Sequence, residues 1–459
     1  MNFRDFFGKA TRGAEEPFPY QQRFANAAEF HDLVHAPTGS GKTATAILGW
    51  LWRYFHTENP TPRRLAYCLP MRVLVEQTAS EAKKWIAELQ LPVSVHVLMG
   101  GDDAEDWDLD PEKPTILIGT QDMLLSRALN RGYGMSRYRW PMHFGLLNND
   151  CLWVLDEIQL MGVGLTTSTQ LQAFRERFGT FGKVRTVWMS ATLRPDWLAT
   201  VDFRDRVPNL NKLSLTDEDY KASGLKDRWN ARKLIEPSGL KADDSKGIAS
   251  LVKSKHLPGS LTLVVVNTVD RSRKLFEELR KLYQAGQTKG RGKKSSQPGD
   301  PAGSAPHLKL IHSRFRPLER ERWMEWLKEE PPREGRIVAS TQVVEAGVDM
   351  SARTLFTELA PWPSLVQRFG RCNRRGEFKG DSSAHIYWVD VPAKDDKQAA
   401  PYAKSELDEA RKHLKALKDG GPRPLHEFLE SLSEDDQATL FPFDPPHVVR
   451  RKDFVDLFD

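Results

Sequence analysis

The chain has 459 residues, 39% hydrophobic and 28% charged, a balance that supports folded cores and excludes a largely disordered chain; its length calls for two or three domains. No uncharged apolar run reaches the roughly 18 to 20 residues that span a bilayer, and Arg4, Asp5, Glu15 and Glu16 interrupt any secretory core, so a cytosolic protein with no membrane partner is expected. The 67 basic against 62 acidic residues leave a net charge of +5, which permits a polyanionic partner without requiring one, and the 3 cysteines (Cys68, Cys151, Cys372) are too far apart for a CxxC site.

Short apolar, β-branched runs occur in chain order at 33–35, 64–69, 115–119, 151–155, 186–189, 261–266, 308–312, 336–340 and 384–389. Between them lie stretches with helical spacing. Ile47, Leu48, Leu51 and Phe55 form one face after Lys42, and Leu275, Phe276, Leu279, Leu282 and Tyr283 form another after Asp270. Alternating strands and helices predict the α/β class, with parallel sheets covered on both faces. The pattern weakens between about Asp202 and Lys246, so two α/β lobes are expected over 1–215 and 216–395, followed by a helical tail over 396–459. Within the second lobe, 286–306 is rich in Gly, Ser, Pro and Lys and reads as an insertion without periodicity.

The residues Ala36-Pro37-Thr38-Gly39-Ser40-Gly41-Lys42-Thr43 follow a strand and open a helix, the context a phosphate-binding loop requires. Gly39, Ser40 and Gly41 would offer backbone amides to phosphates, Lys42 would reach the outer phosphate oxygens, and Thr43 would help hold Mg2+. Further on, Asp156 and Glu157 end an apolar strand. With a phosphate loop present, Asp156 is expected to position the magnesium and Glu157 to act as general base on a water. In the second lobe Gln367, Arg371 and Arg374 are spaced to share one helix face, and the two arginines could neutralise charge on a γ-phosphate bound by the first lobe.

Taken in order, these motifs resemble those of a superfamily 2 helicase. The resemblance rests on Tyr20-Gln21, Leu69-Pro70-Met71-Arg72, Gly100-Gly101, Gly119-Thr120-Gln121-Asp122, Asp156-Glu157-Ile158-Gln159, Ser190-Ala191-Thr192, Asn267-Thr268 and His312-Ser313-Arg314-Phe315. It ends on Thr341 to Asp349 and Gln367 to Arg374. It implies two tandem RecA-like domains that close on ATP, an adenine-reading Gln21, and nucleotide contacts from Gly347 and Asp349. It also implies phosphate contacts to a strand from Arg72, Gly101, Thr120, Asp122, Thr268, Ser313, Arg314 and Thr341. Glu358-Leu359-Ala360-Pro361 and Ser364-Leu365-Val366-Gln367-Arg368 look most like the CRISPR-associated helicase of type I interference. That resemblance implies a 3′ to 5′ translocase on single-stranded DNA, recruited by a guide-RNA surveillance complex. An RNA helicase of the same fold and a nucleotide-gated clamp are the alternatives; the DEIQ form of the Asp156 motif argues against a DEAD-box RNA helicase.

Relatives usually carry a histidine-aspartate nuclease. His31-Asp32 is the single His-Asp dipeptide and reads as structural, so a nuclease domain is expected either beyond the tail or as a separate chain. The segment 126–140 interleaves Arg127, Arg131, Arg137 and Arg139 with Tyr133, Tyr138 and Trp140. It reads either as a contact for DNA or the recruiting complex, or as a loop whose aromatics pack on the sheet.

Overall fold

The computed structural model describes residues 1–100, 106–192, 194–290, 305–345, 347–380, 383–445 and 448–458. Two compact units form, Met1–Leu225 with Phe443–Asp459, and Lys226–Pro442. Of the insertion expected at 286–306, residues 291–304 lie outside the described residues, as does Gly101.

In the first unit, strands β1 (Leu33–His35), β2 (Arg64–Leu69), β3 (Ser94–Leu98), β4 (Thr115–Thr120), β5 (Cys151–Asp156), β6 (Val184–Ser190) and β7 (Lys212–Ser214) make a seven-stranded sheet ordered β3-β4-β2-β5-β6-β1-β7. Every pairing is parallel. Strands β2, β4 and β5 are buried along their whole length, which is why they read as unbroken apolar runs rather than as alternating ones. The second unit repeats the plan with β8 (Lys233–Lys241), β9 (Leu261–Val265), β10 (His307–Ile311), β11 (Arg336–Ser340), β12 (Thr354–Glu358) and β13 (Ala384–Asp390). Their order is β10-β11-β9-β12-β13-β8, again all parallel. These are two tandem RecA-like α/β domains, as the sequence predicts.

The units run differently from the segments expected at 1–215, 216–395 and 396–459. The first extends to Leu225 because the buried Asp219 carboxylate accepts from Tyr20 N at 2.6 Å and pairs with Arg23 at 2.8 Å. The tail is divided. Lys233 N donates to Asp419 at 2.9 Å, and Leu407, Ala410 and Leu414 are buried, so residues up to Pro442 belong to the second unit. The remainder returns to the first unit, where Phe454 packs on Phe174 with ring centroids 4.6 Å apart and Val449 N donates to Gln170 at 2.9 Å.

Candidate functional site

Parallel strands deliver their following loops to one edge of a sheet, where open α/β folds bind ligands. In the first unit that edge divides in two. The phosphate-loop residues follow β1, Asp156 and Glu157 end β5, and Ser190 ends β6, and these three strands are neighbours. Arg72 follows β2, Gly100 follows β3, and Thr120 and Asp122 follow β4, which together form the other half of the same edge.

The loop Pro37–Gly41 turns into the helix Lys42–His56 through Gly39 (φ 84°) and Gly41 (φ 82°), both in the left-handed region. At Gly41 a Cβ would stand 2.8 Å from Gln21 Nε2, so a side chain there would strain the backbone and displace the Gln21 amide. Gln21 is buried and donates to Gly41 O at 3.1 Å, while its carbonyl oxygen accepts from Phe18 N at 2.8 Å. Tyr20 donates its hydroxyl to Ser40 O at 2.8 Å and accepts from Thr45 Oγ1 at 2.9 Å. The segment expected to read adenine therefore also braces the phosphate loop.

Lys42 is buried. Its ammonium lies 3.2 Å from Glu157 Oε1 and donates to Ala36 O at 3.3 Å. Asp156, also buried, accepts from the Tyr67 hydroxyl at 2.8 Å and from Glu157 N at 2.9 Å. Burial pushes its carboxyl up to about 6 against the opposing effect of Lys42. Glu157 sits at φ 57°, a conformation that turns its side chain back toward Lys42, and its Oε2 accepts from Gln159 Nε2 at 2.5 Å. Gln159 Oε1 accepts in turn from Ser190 Oγ at 2.7 Å, and Ser190 Oγ accepts from Thr192 N at 2.9 Å. A continuous chain of polar contacts thus joins Lys42 to the end of β6. The Thr43 hydroxyl and the Asp156 carboxylate are hard-oxygen donors of the kind a magnesium ion takes.

On the other half of the edge, Arg72 is exposed at the start of the helix Arg72–Leu89 and approaches Gly100, where a Cβ would meet its Nη2 at 2.8 Å. Thr120 is buried at the end of β4, and Asp122 is exposed in the first turn of Gln121–Ala128. In the second unit the corresponding candidates follow three adjacent strands: Thr268 after β9, Ser313 and Arg314 after β10, and Thr341 after β11. Ser313 and Arg314 are exposed and Thr341 is buried.

One expectation needs correction. Gln367, Arg371 and Arg374 do not share a helix face, because the helix Trp362–Phe369 stops at the Gly370 cap. Arg371 and Cys372 N–H groups turn back to Arg368 O and Phe369 O, and Asn373 takes φ 43°. Arg371 is buried and donates to Val344 O at 2.8 Å and Glu345 O at 2.6 Å. Arg374 pairs instead with Asp349 at 3.1 Å, which brings two of the candidates together beside Gly347 (φ 72°). Gln367 is buried on the helix itself.

Spacing alone also left Arg368 and Tyr67 without a role. Arg368 is fully buried and donates to Glu345 at 2.7 Å, Thr357 Oγ1 at 3.0 Å, Glu358 O at 2.9 Å, Asn267 Oδ1 at 3.0 Å and the Tyr402 hydroxyl at 3.2 Å. It ties the ends of β9, β11 and β12 and the tail into one polar cluster. His31 stacks on Phe24 and burial lowers its pKa to about 4, while Asp32 pairs with Arg185 at 3.2 Å. Among the described residues no group of three or more His, Cys, Asp or Glu side chains could hold a metal ion, and no helix is long and apolar enough to cross a membrane.

Comparison with known proteins agrees with this arrangement. Residues 18–201 match the family model of the DEAD/DEAH box helicases, and residues 258–377 match that of the CRISPR-associated nuclease/helicase Cas3, C-terminal. The CRISPR-associated helicase Cas3 of Thermoproteus tenax is 29% identical over 430 residues, which cover 89% of this chain and 64% of that protein. The CRISPR-associated endonuclease/helicase Cas3 of Thermus thermophilus is 30% identical over 408 residues, covering 74% and 42%. The chain therefore spans less than two thirds of either relative. The crystal structure of T. fusca Cas3 with AMPPNP superposes with a TM-score of 0.67 at 17% identity, over 94% of this chain and 53% of that one. S. cerevisiae Dbp5 bound to RNA and ADP BeF3 gives 0.55 at 16% identity, over 91% and 94%. The ordered motifs, both family matches and the paired RecA-like sheets make this chain similar to the DEAD/DEAH box helicases and to the helicase part of the CRISPR-associated Cas3 proteins, and show an ATP-hydrolysing helicase.

Proposed function

We propose that the chain is an ATP-driven translocase on single-stranded DNA, moving 3′ to 5′ in type I CRISPR interference. The observation that carries this reading is the pair of buried residues Lys42 and Asp156, with the partly buried Glu157 beside Lys42, on one half of a sheet edge whose other half presents Arg72, Thr120 and Asp122. Phosphates arriving at the Pro37–Lys42 loop compete with Glu157 for the Lys42 ammonium. Glu157 then keeps its bond to Gln159 and is free to accept a proton from the attacking water. Thr43 and Asp156 would hold Mg2+, which supplies charge neutralisation at the phosphates. Arg371 and Arg374 are proposed to stabilise the developing γ-phosphate charge in the hydrolysing state, and Gln21, Gly347 and Asp349 to contact the nucleotide.

Loss of the γ-phosphate changes what Glu157 faces, and the Gln159–Ser190–Thr192 contacts carry that change to the end of β6. Thr268, Ser313, Arg314 and Thr341, with the first-unit candidates, would grip the strand through its phosphates, so binding is independent of sequence. Likeness to the Cas3 helicases supports DNA as substrate and a guide-RNA surveillance complex as recruiter, with a nuclease acting on the displaced strand. A strand-displacement assay with 3′- and 5′-overhang DNA and RNA duplexes tests the reading. Unwinding of 3′-overhang DNA alone is expected; unwinding confined to RNA would replace it with the RNA helicase.

A further inference from the structure

The helix Val163–Phe178 leaves the Asp156-Glu157 edge and ends at the opposite edge of the first unit's sheet, where β6 begins at Val184. There a cavity of about 380 Å³ opens, remote from the phosphate loop, within the range of small-ligand sites. Its walls are mainly apolar, with Phe30, Pro60, Pro62 and Val184 contributing.

Charges line it too. Lys183 pairs with Glu29 at 3.1 Å, Arg185 with Asp32 at 3.2 Å, and Glu176 with Arg206 at 3.1 Å. Arg175 differs from these. It is 7% exposed, its Nε donates to the neutral Asn148 amide oxygen at 2.8 Å, and its guanidinium lies 5.0 Å from the centre of the Trp153 ring. Its Nη2 has no hydrogen-bond partner among the described residues. Burial lowers its pKa to about 10, which leaves it cationic at neutral pH. A buried cation without an anion is costly, and the cavity beside it is where the missing charge can enter.

The cavity mouth is preformed. Phe181 N donates to Asn149 Oδ1 at 2.7 Å and Thr180 Oγ1 to Gly182 O at 2.9 Å, which holds the turn. Between those two lining residues Phe181 stands 87% exposed, an apolar rim with nothing to cover it among the described residues.

We propose that this cavity binds a carboxylate carried on an apolar body, with Arg175 as the recognising cation. One planar monoanion matches one planar guanidinium, and the remaining apolar walls accommodate the body; a phosphate dianion would leave charge uncompensated against those walls. The carboxylate comes either from a free arylalkyl acid or from a Glu side chain of a partner polypeptide flanked by aromatic residues.

Calorimetric titration of the full chain separates these sources. The probes are phenylacetate, its neutral counterpart 2-phenylethanol, inorganic phosphate, and the peptides acetyl-Phe-Glu-Phe-amide and acetyl-Phe-Gln-Phe-amide. At least one carboxylate probe is expected to bind tenfold or more tightly than its neutral counterpart and than phosphate. Preference for phenylacetate identifies a free acid, and preference for the Glu peptide a polypeptide. Arg175→Lys, which keeps the charge but not the fork, should weaken binding at least fivefold. Thr180→Trp, on the rim, should abolish it while leaving ATPase activity unchanged, and serves alone should the Arg175 variant not fold. Equal binding of charged and neutral probes, tighter binding of phosphate, no binding of any probe, or full binding by Thr180→Trp would each overturn the proposal.

Discussion

Lys42 stands between two carboxylates in a buried site, so its removal has two consequences. Lys42→Ala deletes the phosphate-reaching cation and leaves Asp156 and Glu157 to repel each other; nucleotide affinity, measured with a fluorescent ATP analogue, should drop more than tenfold. Glu157→Gln removes the base and keeps the shape, so affinity should persist while kcat drops by about 10² to 10⁴-fold. Gln159 makes a more discriminating case. Because it holds Glu157 on one side and Ser190 on the other, Gln159→Ala should lower kcat by about tenfold with KM for ATP unchanged, in a steady-state ATPase assay. The phosphate loop and the acid pair were legible in the chain because their chemistry is contiguous. Tyr67 was not, since it meets Asp156 through the neighbouring strands β2 and β5, and no local pattern in its own segment announces that contact.

At the scale of the element, motif patterns identified which residues matter better than how they are arranged. A helical repeat placed Gln367, Arg371 and Arg374 on one face, but backbone turning at Gly370 and the left-handed Asn373 end the helix first. Arg368, which the same repeat turns away from that face, is the residue that fixes the local fold. Arg368→Met leaves Glu345 and Glu358 buried with less compensation and should cost about 3 to 5 kcal/mol, read as a lowered urea midpoint. The segment 126–140 resolves in a similar way. Arg127 is buried and the half-buried Arg139 pairs with the buried Asp108, whereas Arg131 and Arg137 lie over Trp140 and Tyr133 and Tyr138 are exposed.

Asp108 also binds His143 at 3.0 Å, against Trp107 and with Arg127 and Arg139 nearby. Burial, reinforced by those two arginines and opposed by Asp108, lowers the His143 pKa to about 4, so the folded protein holds it neutral. An unfolded histidine protonates below about 6.5. The stabilisation is therefore complete above that value and is lost as pH falls toward 4, by up to about 3 kcal/mol. The urea midpoint should consequently fall between pH 7 and 5, and His143→Gln should reduce that fall.

For the whole molecule, two α/β lobes were predictable from repeated strand-helix alternation, and both sheets appear with the strands the apolar runs indicated. The strands that escaped notice are instructive. β3 and β8 are edge strands with polar or charged residues, β7 has three residues, β8 carries Pro237 and Gly239, and the central, buried β12 has two threonines and a glutamate in five residues, so none shows a long apolar run. The fate of the tail was equally hidden, because its apolar stripe says that it packs and not on what. The first sheet presents strand-grip candidates on one half of its carboxyl edge and nucleotide candidates on the other, and in the second sheet Thr341 shares the connection after β11 with Gly347 and Asp349, so strand binding and ATP turnover should depend on each other. The steady-state ATPase rate with and without single-stranded DNA tests this most directly. The account predicts a low basal rate raised at least tenfold by DNA in the wild type and absent from Glu157→Gln under both conditions. A rate indifferent to DNA, or equal turnover by wild type and Glu157→Gln, would contradict it.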